Sequence, residues 1–357
     1  MAKKILVVDD SALMRRVLCD IINSDERFEV QDRAVNGLEA LDLLTRKSYD
    51  AVVLDVNMPQ MNGLELLKEL QKRKISARVM MASTDTKEGA KTTLEALELG
   101  ALDFVHKPNN AMDCRTDAFK NRLLTALAVV TESRVTSIGK PFTADELKTS
   151  KKVVELVGRH ASAVVGNKVV ALASSTGGPR ALQSVVPRLP KNLKAPVVIV
   201  QHMPAGFTAS LAERLDSLSE VRVKEAAEGD VLEAGTVYIA MGGKHLNIQT
   251  SQGKYSIHYT DQPAREGVRP CANYMYESLM DSRYDQIVCV VMTGMGADGT
   301  EGIKHLKEKK KIHVIAQEAS TCAVYGMPRS IVNAELADQI VPLDQIAQEI
   351  IMNVGVK

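Results

Sequence analysis

Short, continuous runs of branched apolar residues, separated by stretches of helical periodicity, recur along this chain. In the first third they lie at residues 5–8, 51–54, 79–82 and 102–105, with a weaker run at 28–30. Between them, apolar residues follow a 3.6-residue rhythm at 13–22, 38–44, 64–70 and 94–99, and a last helical stretch covers 119–130. A strand that is apolar throughout, rather than at every second position, is buried on both faces. Alternation with helices then means βαβ units and a parallel sheet covered on both sides. This part of the chain is predicted to be a doubly wound α/β domain.

Across 131–167 the rhythm fades and Ser, Thr, Gly and Lys become frequent, although 145–157 retains a helical pattern. A loop of that length is unusual inside one compact domain, so it reads as a linker. A chain of 357 residues has room for two cores. The expected division is 1–130, a linker at 131–167, and a second domain at 168–357. That second domain restarts the same grammar, with strand-like runs at 169–173, 197–200, 287–292 and 312–315. Helices are expected after Pro179, after Gly206, at 273–280 and after Gly299. Between 221 and 259, period-two alternation and Gly-rich turns predict a small antiparallel patch beside an α/β parallel sheet.

Bulk properties exclude several classes. A net charge of +1 lacks the concentrated basic face that nucleic-acid binding requires. The five cysteines are scattered and odd in number, without a C-x-x-C pair, which suits a reducing compartment better than a disulfide framework or zinc site. The N-terminus is not a signal peptide, and no window approaches the roughly 18 apolar residues of a membrane span. A cytoplasmic monomer, neither inserted in a membrane nor bound to nucleic acid, is expected.

Two sets of residues carry chemistry. Asp9 and Asp10 follow the first strand, Asp55 ends the third, Ser83 ends the fourth and Lys107 follows the fifth. The carboxyl ends of strands form the ligand edge of such a sheet. Three carboxylates meeting there repel unless a cation joins them, and hard oxygen ligands suit Mg²⁺. The Lys107 ammonium could pair with phosphate, and Ser83 offers a hydroxyl.

The second set opens with Ser174-Ser175-Thr176-Gly177-Gly178-Pro179 at the end of an apolar strand. Pro179 suits a first helical position, and the glycines let N–H groups approach a substrate oxygen. His202 follows the next strand, and Asp298 closes Thr-Gly-Met-Gly-Ala-Asp after a third. A serine hydroxyl needs a histidine base and an orienting carboxylate to become a competent nucleophile. N–H groups in the 294–296 turn could hold an oxyanion. Each residue also has a plain structural use: Ser175 and Asp298 as helix caps, His202 as a hydrogen-bonded loop histidine. The Ser, His, Asp order and the missing G-x-S-x-G elbow argue against an ordinary α/β-hydrolase.

Residues 1 to about 125 resemble a response-regulator receiver domain, in VVDDSALMRR, LDVNMPQMNGLE, MAST and FVHKP. The resemblance implies a flavodoxin-like fold, Asp55 as acceptor of a phosphoryl group from a chemotaxis histidine kinase, and Asp9, Asp10 and Asp55 around Mg²⁺. It makes Ser83 and Lys107 sensors of the acyl phosphate, Phe104 the switch aromatic, and Lys107–Pro108 a cis bond. Residues 168 to about 350 resemble the catalytic domain of the chemotaxis protein-glutamate methylesterase (CheB) family, in SSTGGP, QHMP and MTGMGADG. That resemblance implies Ser175 as nucleophile, His202 as base, Asp298 as its partner, and Thr176 and Met295 on the oxyanion side, with no cofactor there. Ser174 stands where the family usually has Ala. Glutamate γ-methyl esters on chemoreceptor cytoplasmic helices would be the substrates, with glutamine deamidation as a second activity and phosphorylation as the gate.

Overall fold

The computed structural model describes residues 1–84, 87–108, 114, 116–133, 166–251 and 253–357. The predicted linker, including the helical pattern at 145–157, lies almost wholly outside them. The chain divides into two compact units, Met1–Gly139 and Lys140–Lys357.

In the first unit β1 (Lys3–Val8), β2 (Phe28–Ala34), β3 (Ala51–Asp55), β4 (Val79–Thr84) and β5 (Asp103–Lys107) form one sheet in the order β2-β1-β3-β4-β5. Every pairing is parallel. The inner strands are apolar throughout because helices cover both faces. The edge strand β2 alternates buried and exposed positions, so only its first residues stand out as an apolar run.

Helices α1 (Ala12–Asn23), α2 (Gly37–Arg46), α3 (Gly63–Arg73), α4 (Lys87–Glu98) and α5 (Asp117–Glu132) connect and flank the strands. Their starts are set by polar caps. Ser11 accepts from Met14 N–H, Asn36 from Glu39 N–H and Thr116 from Phe119 N–H, while Asn62 and Glu65 form a capping box. Each cap is worth about 1 kcal/mol. Helix α4 begins earlier than the apolar rhythm at 94–99 suggests, because its first turns are polar.

The second unit is built on seven strands: β6 (Lys168–Ser174), β7 (Val197–Gln201), β8 (Arg222–Glu225), β9 (Thr236–Ile239), β12 (Gln286–Val291), β13 (Ile312–Gln317) and β14 (Gln339–Val341). Their order is β14-β13-β12-β6-β7-β9-β8, all parallel. The antiparallel patch is the separate hairpin β10 (His245–Ser251) and β11 (Lys254–Thr260). The segment read from sequence as one patch is thus divided: β8 and β9 extend the main sheet in parallel, and the hairpin, with an antiparallel bridge from Val231 to Ser256, forms the patch. Four-residue strands carry too little pattern to reveal their partner, which packing decides.

Helices α6 (Gly178–Val185), α7 (Phe207–Leu218), α8 (Ala272–Ser278), α9 (Thr300–Lys309), α10 (Met327–Asn333) and α11 (Leu343–Val354) complete the unit. Alternate residues of β6 (Val169, Ala171, Ala173) join one core with Leu246 and Ile257 of the hairpin and Met275 and Tyr276 of α8. Tyr276 is fully buried, and its hydroxyl donates to the Val290 carbonyl at 3.1 Å, so no polar atom of its side chain is left unsatisfied.

No helix among the described residues is long and apolar enough to cross a membrane. All five cysteines are free and buried. The cis peptide among the described residues is Arg269–Pro270; Lys107–Pro108 is not cis, and trans is the ordinary state of an X–Pro bond.

Candidate active site

Three parallel strands bring the serine constellation to one sheet edge. Strand β6 is flanked by β7 and β12, so the loops that follow all three emerge side by side. Ser175 N–H donates to the Thr293 carbonyl at 3.0 Å, and His202 N–H donates to the Ser174 carbonyl at 3.0 Å. Backbone hydrogen bonds thereby place the His202 backbone beside the Ser175 turn and tie that turn to the loop bearing Asp298.

The two serines are not equivalent. Ser174 is fully buried, and its hydroxyl donates to Gln201 Oε1 at 2.7 Å. Gln201 Nε2 in turn donates to the carbonyls of Ser175 at 2.9 Å and His202 at 3.2 Å. One amide therefore clamps the backbone on either side of the constellation, and Ser174 orients the amide. Ser175 is only half-buried.

Glycine is required at two points. Gly177 has φ +76, a conformation side chains rarely adopt, as it turns the chain from β6 into α6. At Gly294 an added Cβ would lie 2.7 Å from Ser175 Cβ and 2.4 Å from Met327 Sδ, so the 294–296 loop can pass beneath the serine only without a side chain. Thr293 ties this loop down, its hydroxyl donating to the Thr176 carbonyl at 3.0 Å. Thr176 is buried, whereas Met295 is 47% exposed at the loop tip.

His202 Nε2 lies 2.8 Å from Asp298 Oδ2. A carboxylate only accepts, so Nε2 carries the proton and Nδ1 keeps its lone pair. Among the described residues, the Ser175 hydroxyl and the imidazole are not hydrogen-bonded. Asp298 is buried and also accepts from Ala272 N–H (2.6 Å), Asn273 N–H (2.9 Å) and the Cys271 thiol (3.0 Å). It serves as an external cap for α8 and not for the helix that follows it, α9, whose N-cap is Gly299.

Burial opposes the Asp298 charge, but the hydrogen bonds from His202, Cys271 and Ala272 outweigh it and hold the carboxyl below its ordinary value of 3.8. A depressed carboxyl adds stability above the unfolded value, and that stability is lost as pH falls through the folded one. The urea midpoint is therefore expected to drop as pH falls below about 3.8, more steeply in the parent chain than in Asp298→Asn. Equal slopes in the two proteins would remove Asp298 as the linked group.

The acidic pocket sits at the carboxyl edge of the first unit's sheet. Carboxylate oxygens of Asp9, Asp10 and Asp55 lie within 4.8 Å of one another. Asp9 is buried, Asp10 exposed, and the Asp55 side chain 13% exposed. Lys107 Nζ reaches Asp55 Oδ1 at 2.7 Å and Asp9 Oδ2 at 2.9 Å. Burial disfavours the Lys107 charge, but Asp55 and Asp9 prevail and raise its pKa. For Asp55 burial wins over Lys107 and pushes the carboxyl up, with Asp9 adding to the rise.

Three carboxylates against one ammonium leave excess negative charge on an all-oxygen donor set, which fits a hard divalent cation. Ser83 is buried, one position beyond Ala82, the partner of Asp55 in the sheet register. Phe104 is half-buried on β5, opposite Met81.

Comparison with known proteins finds relatives for both parts of the chain. The family model described as CheB methylesterase matches residues 170–350, half of the chain. The chain belongs to the CheB methylesterase family. The model described as response regulator receiver domain matches residues 5–118. A protein-glutamate methylesterase/protein-glutamine glutaminase of Geobacillus kaustophilus (strain HTA426) is 42% identical, over 99% of both chains. One of the same description from Pyrococcus horikoshii is 40% identical, over 99% of this chain and 94% of its own. The crystal structure of the Thermotoga maritima CheB methylesterase catalytic domain superposes with a TM-score of 0.51 at 42% identity, covering 52% of this chain and 98% of that one.

Sequence reasoning missed several members of this CheB-family site. Gln201, Thr293, Asn273 and Cys271 act through contacts far apart in sequence, and a scan for local spacing does not register them. Gln201 and Thr293 had a signal, since Gln201 immediately precedes His202 and Thr293 lies in the motif that ends at Asp298. His245, unassigned from sequence, is fully buried behind the site, where its Nδ1 accepts from Cys271 N–H at 3.2 Å.

Proposed function

We propose that this chain is a phosphorylation-activated serine hydrolase that removes methyl groups from glutamate γ-methyl esters on the cytoplasmic helices of chemoreceptors. The observation that carries the reading is the His202–Asp298 hydrogen bond at the strand edge that also bears Ser175. Ser175 Oγ attacks the ester carbonyl while His202 Nδ1 takes its proton. The N–H groups of Thr176 and Met295 face the developing oxyanion, each such donor being worth about 3 kcal/mol. Methanol leaves with the proton from His202, and water activated by the same nitrogen hydrolyses the glutamyl ester on Ser175. Deamidation of receptor glutamines follows the same steps with ammonia as the leaving group.

In the receiver, Asp55 accepts a phosphoryl group from a chemotaxis histidine kinase. Asp9, Asp10 and Asp55 hold Mg²⁺, which when bound supplies positive charge for the phosphoryl oxygens. Lys107, already paired with Asp55, is placed to pair with the phosphoryl group, and Ser83 and Phe104 relay the change. Going from about 1% to 99% active requires about 5.5 kcal/mol of differential stabilisation, so smaller coupling gives partial activation. A cytoplasmic setting accords with five free, buried cysteines.

The test is methanol release from methylated receptor membranes, with Mg²⁺, with and without a small phosphodonor. Release that rises with the phosphodonor supports the whole reading. Release indifferent to it removes the gate, and none from folded protein removes the substrate assignment.

A further inference from the structure

Four donors surround the Asp298 carboxylate: His202, the Ala272 and Asn273 amides, and the Cys271 thiol. His202 belongs to the proposed chemistry, and the Ala272 and Asn273 amides need an acceptor because they open α8. The fourth donor is the Cys271 thiol, 3.0 Å from Oδ1. Cys271 is the N-cap of α8, yet its side chain makes no cap bond to that helix. At this position Ser, Thr, Asp or Asn ordinarily accepts from the helix's own amides. Here Asp298 supplies the acceptor from another loop, and the Cys271 side chain turns towards it as a donor.

The surroundings fix that arrangement. Cys271 is fully buried, and its N–H donates to His245 Nδ1 at 3.2 Å. His245 Nε2, which must then carry the proton, donates to the Pro263 carbonyl at 3.2 Å. Burial and the nearby Asp298 charge push the thiol pKa well up, so the donor hydrogen stays in place. The titratable and charged groups around the carboxylate are His202, Cys271, Tyr276 and His245, with Arg269 acting on His245.

We infer that Cys271 is a positioning residue of the hydrolase, its thiol holding the second oxygen of Asp298 and tempering the pull of that carboxylate on the His202 N–H. This rests on Ser175, His202 and Asp298 being the reacting set. Together with the Asn273 N–H, which also donates to Oδ1 at 2.9 Å, the thiol keeps the carboxylate from rotating away from His202. It also withdraws electron density from the carboxylate and so weakens its pull on the His202 N–H. A protonated imidazole cannot take the serine proton, so a stronger pull on that N–H in a variant without the thiol should raise the pH at which the base becomes available.

The experiment is the pH profile of kcat/KM for methanol release by the full-length chain, comparing the parent with Cys271→Ala, Cys271→Ser and Ser175→Ala. In Cys271→Ala the acid limb should move up by about half a pH unit and kcat fall about fivefold, the scale of one hydrogen bond from a weak donor. In Cys271→Ser, which keeps a donor, both should return to within about twofold of the parent. An unmoved limb in active Cys271→Ala, or a serine variant no better than alanine, overturns the inference. Parent activity that survives Ser175→Ala overturns the underlying reading instead.

Infrared spectroscopy gives a readout that does not depend on activity. The parent-minus-Cys271→Ser difference spectrum isolates one S–H stretch, expected at the lowered frequency of a hydrogen-bonded thiol. A stretch at the free-thiol frequency also overturns the inference.

Discussion

Replacing Ser175 with alanine is expected to lower methanol release by about four to six orders of magnitude, the scale seen when the nucleophile of a serine hydrolase is removed. The loss should fall in kcat rather than KM, because the hydroxyl acts in bond formation while the oxyanion donors and the substrate surface remain. The fold should be unaffected: the contacts that hold residue 175 run through its backbone, to Thr293, Gly178 and Gln201. Unfolding temperature and circular dichroism should therefore match the parent. Ser174→Ala is the informative control, because Ser174 orients Gln201 and is fully buried. A large loss in Ser174→Ala with an active Ser175→Ala would exchange the roles of the two serines.

Replacing Asp55 with asparagine is expected to abolish the response to a phosphodonor. Coupling between two sites is typically 5–150-fold, and the whole of that increment should vanish, leaving equal methanol release with and without phosphodonor. The same substitution should raise the unfolding temperature of the receiver at neutral pH. Burial holds the Asp55 carboxyl above its ordinary pKa, so its charged form destabilises the fold, increasingly as pH rises from the unfolded value through the folded one. Asparagine removes the desolvated charge and leaves Lys107 paired with Asp9 at 2.9 Å. Activation that persists in Asp55→Asn would place the phosphoacceptor elsewhere, and a lower unfolding temperature would mean that the Lys107–Asp55 pair outweighs burial.

Much of the architecture was legible because burial on both faces of a sheet leaves a direct mark on sequence. Strands such as β6 and β12 are apolar along almost their whole length. The chemistry was legible for a related reason. In a parallel sheet every loop after a strand faces the same edge, so Ser175, His202 and Asp298 could be assigned to one place without knowing the strand order. The same logic located Asp9, Asp55 and Lys107. Where it faltered, the local signal was weak. Strand β2 is half-solvated, α4 opens on polar turns, and β8 and β9 are too short to show whether they join the main sheet or the hairpin.

The sequence by itself determined two α/β units and the chemical groups at their strand ends, because hydrophobic periodicity and motif spacing are local properties. Only the tertiary structure decided which groups touch. Lys107 and Asp9 are 98 residues apart, His202 and Asp298 96 apart, and Cys271 and Asp298 27 apart, yet each pair meets within 3.0 Å. Such contacts follow from how sheets and helices pack, which no local pattern encodes. That packing assigned Ser174 to Gln201, drew Lys107 between two carboxylates, and turned the Cys271 thiol towards Asp298.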